Sequence, residues 1–95
     1  MTVIYLTALK FPIGELVATP NATETFSMET LEACLRRHAD GDWGDLCKED
    51  KTSNDRALRD GSRLFSSYEF PSRGKLWIIT EADRSATTFL LPEDY

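Results

Sequence analysis

The stretch Arg63–Leu91, RLFSSYEFPSRGKLWIITEADRSATTFLL, constrains this chain more than any other. Its runs LFSSYEF, KLWIIT and SATTFLL are rich in β-branched and aromatic residues and are separated by two compact polar segments. Runs of this kind bounded by turn residues predict a three-stranded antiparallel meander. The turn Pro71–Gly74 places Phe70 opposite Lys75, which pairs Tyr68 with Trp77 and Ser66 with Ile79. A tight turn at Asp83 and Arg84 places Ala82 opposite Ser85, which pairs Trp77 with Leu90 and Ile78 with Phe89.

Side chains alternate along a strand, so these registers assign faces. One face carries Phe65, Ser67, Leu76, Ile78, Thr80, Thr87, Phe89 and Leu91. The other carries Leu64, Ser66, Tyr68, Phe70, Trp77, Ile79, Thr88 and Leu90. Both read as apolar, whereas a half-exposed antiparallel sheet shows one polar face. Two helices cover one side. The second, with Tyr68, Trp77 and Leu90 in a row, needs cover from residues 2–19 or from another molecule, a homodimer mate or a different partner.

The helices are read from caps and periodicity. Ser27 caps Met28–Ala39, whose apolar positions Met28, Leu31, Cys34 and Leu35 share one face, with Glu29 near its start and Arg36 and Arg37 near its end. Residues 47–60 form a second, mostly polar helix that Gly61 stops, and Thr19 with Pro20 begins a short helical turn. Residues 2–9 and Glu15–Thr19 are strand candidates. The expected fold is a single α+β domain over residues 1–95. Its antiparallel sheet combines the meander with one or two N-terminal strands, and two main helices lie on one face.

An apolar fraction of 41% with 28% charge fits a folded globular chain. No run is long enough to span a bilayer, and the N-terminal MTVIYLTALKF lacks a basic start and a cleavage site. A cytoplasmic protein with Cys34 and Cys47 as free thiols is expected. The net charge of −5 disfavours direct nucleic-acid binding, which needs a basic surface.

Several constellations invite chemistry. Cys34 and His38 stand four apart on one helix face, yet no orienting third group or oxyanion hole accompanies them, so a buried cysteine with a surface histidine is expected. Zinc held by these two and Cys47 would lack the close cysteine knuckle of structural sites. The run from Asp40 to Asp45 suggests a calcium loop but has Gly44, Asp45 and Lys51 where such a loop needs a ligand, a glycine and a bidentate glutamate. It reads instead as a turn whose aspartates bond backbone. Ser66 and Ser67 lie in a strand, not on a nucleophile elbow. Glu81, Asp83 and Arg84 form the densest polar cluster: a turn in which Arg84 pairs with Glu81 or a helix carboxylate, a recognition tip anchored by Arg84, or the acid–base groups of a small enzyme, with Asp45 as a further member. No catalytic residue, metal ligand or cofactor is assigned.

The motifs FPIGELVATP, RHADGDWGDL, ED…N…AL..G.RLFSSY and LWIITEADRSATTFLLPEDY span about residues 11–95. Together they resemble a family of small proteins carried on plasmids, phages and other mobile elements, sometimes labelled plasmid-related protein. A restriction-modification label attached to some members does not suit a chain too short for a methyltransferase and without a cofactor-binding glycine motif. The family has no established catalytic residues, so none is carried over. The resemblance implies genomic company in which small acidic proteins bind a host protein or complex, as anti-CRISPR and antirestriction inhibitors do. A non-catalytic protein-binding protein is therefore expected, with contacts through Asp40, Asp42, Trp43, Asp45, Tyr68, Trp77, Glu81, Asp83 and Arg84.

Overall fold

The computed structural model describes residues 10–95, and its elements follow the caps. The expected strand at residues 2–9 lies outside the described residues. Strand β1 (Glu15–Ala18) leads into helix α1 (Pro20–Thr25), where the Thr19 hydroxyl accepts from the Ala22 amide and Pro20 opens the first turn. Helix α2 (Met28–Ala39) starts at Ser27, whose hydroxyl accepts from the Thr30 amide. Helix α3 (Lys48–Asp60) ends at Gly61. Strands β2 (Leu64–Phe70), β3 (Gly74–Thr80) and β4 (Ala86–Leu90) follow, then a 3-10 turn at Pro92–Asp94. The result is an α+β fold with helices against a four-stranded sheet of order β1-β4-β3-β2. The meander is antiparallel, and β1 joins β4 in parallel, so the sheet is mixed.

The β3–β4 register is the expected one, with Trp77 opposite Leu90 and Ile78 opposite Phe89. The β2–β3 register differs by one residue: Phe70 faces Gly74, Tyr68 faces Leu76 and Ser66 faces Ile78. The cause is the turn. Pro71, Ser72 and Arg73 form a three-residue loop in which the Arg73 amide donates to the Phe70 carbonyl (3.1 Å), and Gly74 follows at φ 85°. This is a type I turn with a left-handed glycine bulge, one residue shorter than the loop counted from sequence.

A one-residue shift turns every β2 side chain over. Leu64, Ser66, Tyr68 and Phe70 therefore join Leu76, Ile78, Thr80, Thr87, Phe89 and Leu91 on the helix-covered side. There Tyr68, Leu76, Ile78, Phe89 and Leu91 meet Ala22, Phe26, Leu31, Cys34 and Leu35 in the main core. A second cluster, Phe11, Trp43, Ala57 and Leu64, fills the space under α3. The back of the sheet carries Phe65, Trp77, Ile79 and Leu90, but also Ser67, Glu69, Lys75 and Thr88. It is more polar than the expected register made it. Tyr68 does not lie in a row with Trp77 and Leu90 but on the opposite face, and Trp77 instead meets Phe65 and Tyr95 edge-on, with ring centroids 4.9 and 5.8 Å away.

The outer edge of β2 is closed group by group. The Asn54 side chain donates to the Phe65 carbonyl (2.6 Å) and accepts from the Phe65 amide (3.0 Å). The Ser67 amide donates to the Trp43 carbonyl (3.2 Å), and the Asp45 amide donates to the Ser67 carbonyl (2.7 Å). The Asp45 carboxylate accepts from the Glu69 amide (2.7 Å). The loop thus serves as a rudimentary fifth strand, and Gly44 lets it approach. A Cβ there would collide with the Ser67 carbonyl oxygen, at a backbone φ of 78°. Replacing Gly44 by Ala should lower the unfolding free energy by about 2–4 kcal/mol, combining left-handed strain with the displaced loop. Asn54→Ala should lower it by about 1–3 kcal/mol, because both Phe65 groups lose their partner. Urea unfolding measures both. Losses below about 0.5 kcal/mol would mean that the loop and α3 do not hold this edge.

Candidate functional site

The structure disperses the residues expected at a contact surface. Asp40 is exposed at the end of α2. Asp42 is held by Arg37, with Nε to Oδ2 at 2.7 Å and Nη2 to Oδ1 at 3.2 Å. That hydrogen bond, with lesser help from the Gly44 amide and the Arg37 and Lys51 charges, keeps the Asp42 carboxyl below its ordinary pKa. Trp43 is only 3% exposed, and its indole N–H donates to Asp55 (2.9 Å). Tyr68 is 1% exposed, donates its hydroxyl proton to the Asp42 carbonyl (2.7 Å) and lies under the Arg37 guanidinium (4.6 Å to the ring centre). Neither Trp43 nor Tyr68 is available to a partner. The apolar core and the hydrogen bonds that close the β2 edge claim both.

Glu81 and Asp83 are exposed on the β3–β4 turn, and the Asp83 carboxylate accepts from the Ser85 amide (3.0 Å). Arg84 sits at φ 61° and does not pair with a carboxylate. Its guanidinium donates to the carbonyls of Ser62 (2.7 Å), Ala57 (3.1 Å) and Glu81 (3.2 Å), and it lies 5.8 Å from the centre of the Phe11 ring. It therefore caps the carboxyl end of α3, where a cation meets the helix dipole and the free carbonyls. Its donors are spent inside the fold. The three residues do not form an acid–base site, and Asp45, engaged on the β2 edge, does not join them.

The polar constellation that sequence reasoning missed is buried. His38 is fully enclosed, not a surface residue. Its Nδ1 stands 2.5 Å from the Ser66 hydroxyl and its Nε2 stands 2.9 Å from that of Thr80. Thr80 in turn meets Thr87 (2.8 Å), and Thr87 donates to the Ile13 carbonyl (2.7 Å). A carbonyl only accepts, and this fixes the direction of the whole chain. Thr87 gives its proton to Ile13, so it accepts from Thr80. Thr80 then accepts from His38 Nε2–H, and the lone pair on Nδ1 takes the Ser66 proton. The imidazole is neutral, in the Nε2–H tautomer. Burial, with the Arg84 charge as the lesser cause, pushes its pKa down to about 3. Its sequence signal is position: residues 31, 34, 35 and 38 share one helical face.

A serine bonded to a histidine has the makings of a nucleophile and its base, but Ser66 and His38 are both fully buried and no substrate reaches them. Cys34 is also buried, which raises its pKa to about 11, and both ring nitrogens of His38 are engaged elsewhere. Among the described residues, no three His, Cys, Asp or Glu side chains converge as metal ligands, and no helix is long and apolar enough to cross a membrane.

Among the described residues, two apolar surfaces stay open. One is a cleft of about 210 Å³ on the back of the sheet, lined by Arg63, Phe65, Trp77, Ile79 and Tyr95, and the other lies at the β1 end. Every residue of β1 is exposed, with Leu16 at 41% and Val17 at 42%. Beside it runs a shallow groove of about 210 Å³ lined by Leu16, Ala18, Met28, Leu31 and Phe89 among others, in which Met28 is 51% exposed. No protein-family model matches the chain, and neither the curated proteins nor the solved structures contain a match.

The sign of the His38 effect is set by its depressed pKa. Below about pH 6.5 the unfolded chain takes a proton that the folded chain refuses. The stabilisation is complete above pH 6.5 and falls as pH drops toward 3. Between pH 7.5 and 5.0, unfolding free energy should fall by about 2 kcal/mol from this group. The lowered carboxyl groups of Asp42, Asp83 and Asp94 lose their contribution at lower pH. Imidazole nitrogen shifts measured by NMR should stay those of the Nε2–H tautomer from pH 8 to 5. A midpoint near pH 6.5 would remove the assignment.

Proposed function

We propose that this chain is a non-catalytic protein-binding module of a mobile genetic element. It acts in the host cytoplasm as an inhibitor of a defence complex of the CRISPR or restriction type. The observation that carries the binding reading is the contrast between the two sheet edges. The β2 edge is capped from the Phe65 amide to the Glu69 amide, whereas β1 is exposed and has no such cap among the described residues. An unprotected apolar edge is a template for pairing with another chain, and folded proteins ordinarily blunt such edges. The candidate catalytic groups support the same reading, since Ser66, His38 and Cys34 are buried and Arg84 is spent on carbonyls. The mobile-element setting rests on the motif resemblance alone.

The test is direct. Purified chain should co-elute with a CRISPR effector or restriction endonuclease complex and reduce its DNA cleavage at least tenfold at a few-fold molar excess. Glu81→Gln and Asp83→Asn variants should inhibit equally well. Undiminished cleavage across a panel of such complexes from the native host would reject the inhibitor assignment.

A further inference from the structure

The β1 edge, uncovered among the described residues, also carries information about what binds it. The Glu15 and Thr19 amides donate to the Ser85 and Phe89 carbonyls of the β4 side. Alternation then turns the N–H and C=O of Leu16 and Ala18 away from the sheet. In the parallel register, Leu16 and Ala18 share the helix-covered side with Thr87 and Phe89, over the groove that Met28 and Leu31 line. A strand laid beside β1 would find two residues' worth of backbone partners and, one step off the sheet, an apolar trough for a side chain. Val17, on the back of the sheet, is equally open to it.

Charge selects among possible occupants. Residues 14–35 and 85–95 carry β1, the groove and the segments around them. They contain Glu15, Glu24, Glu29, Glu32, Glu93 and Asp94, and no Lys or Arg. In sequence all 11 basic residues lie outside these stretches, but in space Arg36 reaches Glu32 and Arg63 reaches Tyr95, which still leaves carboxylates in excess. Glu32 is paired with Arg36, and Asp94 accepts from Thr19 and Asn21 yet keeps its charge. A second copy docked edge to edge would bring two acidic ends together, which opposes association. A basic segment would be drawn in.

We propose that β1 is a β-augmentation site for an extended segment of a partner protein, with alternating apolar residues and Lys or Arg at its flanks. The segment pairs with the outward groups of Leu16 and Ala18 and sets an apolar side chain into the Met28–Leu31 groove. This rests on the protein-binding reading above and specifies its partner and mode.

Three terminally blocked peptides test it against the full chain: KTVTLTVTK, its acidic twin ETVTLTVTE, and KTVPLPVTK, which cannot complete a ladder. At about 50 mM salt the first should bind with a Kd of roughly 10–100 µM, at least tenfold tighter than the second, with the third undetectable. Amide NMR shifts should concentrate at residues 15–18, 28 and 31. Ala18→Pro removes an outward N–H without touching the β4 ladder and should weaken binding at least tenfold with an unchanged melting curve. Should that variant melt early, Leu16→Lys, at an exposed position, serves instead. Equal affinity for the basic and acidic peptides, no binding at 1 mM, or shifts centred on Trp77 would each overturn the proposal. Concentration-dependent shifts at residues 15–18 without peptide would assign the edge to a second copy and overturn it too. If Ala18→Pro captures the native partner undiminished, the edge assignment fails while the binding function stands. If neither form captures a partner, the function fails as well.

Discussion

The hydrogen-bond chain from Ser66 through His38, Thr80 and Thr87 to the Ile13 carbonyl is the constraint on which the rest of the sheet depends. It joins α2, three strands and the segment entering β1 in one buried line. His38, Thr80 and Thr87 each have one partner for the proton and one for a lone pair, so displacing a member orphans another in a medium where an unmade bond is expensive. The chain also selects the β2 register. In the alternative one-residue-shifted pairing, Ser66 would face the back of the sheet and Nδ1 would lose its donor. Hydrophobic burial favours the same register, because the alternative would send Leu64, Tyr68 and Phe70 to the back of the sheet and bring Phe65, Ser67 and Glu69 into the core. The polar chain and the Gly74 bulge act in the same direction as that burial.

Closing the β2 edge follows from the same choice. With β2 in its observed register, the groups of Phe65, Ser67 and Glu69 point away from the sheet, and Asn54, Trp43 and Asp45 meet them. The acidic loop is therefore architectural. Its carboxylates bind backbone and Arg37, its tryptophan fills the smaller core, and its second glycine admits the contact. Aspartates and glycines around a tryptophan look like a ligand loop in sequence because both uses need the same things, tight backbone turns and oxygen acceptors.

That ambiguity marks the limit of what is legible in the sequence. Local chemistry is legible: Ser27, Thr19 with Pro20, and Gly61 each end or begin a helix where propensity places them, and the β3–β4 register follows from the turn around Asp83 and Arg84. Non-local chemistry is not. Whether Pro71–Arg73 closes as a three-residue loop depends on Gly74 adopting positive φ, and a four-residue count is sterically as reasonable. From sequence, Arg84 is expected to seek a carboxylate, but it donates instead to the Ala57 and Ser62 carbonyls around the end of α3, and only the tertiary docking of that helix brings them there. His38 occupies an apolar helical face in plain view, but its partners, Ser66, Thr80 and Thr87, come from three strands whose mutual alignment is the quantity in question.

The two edges of the sheet can be weighed against each other on these terms. Closing β2 uses an asparagine, an aspartate, a left-handed glycine and a whole loop, and each of these restricts what the sequence can be at its position. Nothing comparable is placed over β1 among the described residues, although a single lysine at position 16 or 17 or a proline at position 18 would blunt it. Aggregation is the general hazard of such an edge, and three features temper it here. It is four residues long, it is flanked by carboxylates, and two copies would bring like charges together. These features disfavour self-pairing and leave the edge open to a strand of opposite charge. On the proposed reading, the carboxylates around β1 would oppose a second copy and favour a basic strand, so that charge and not a covering element would separate recognition from self-association at this edge.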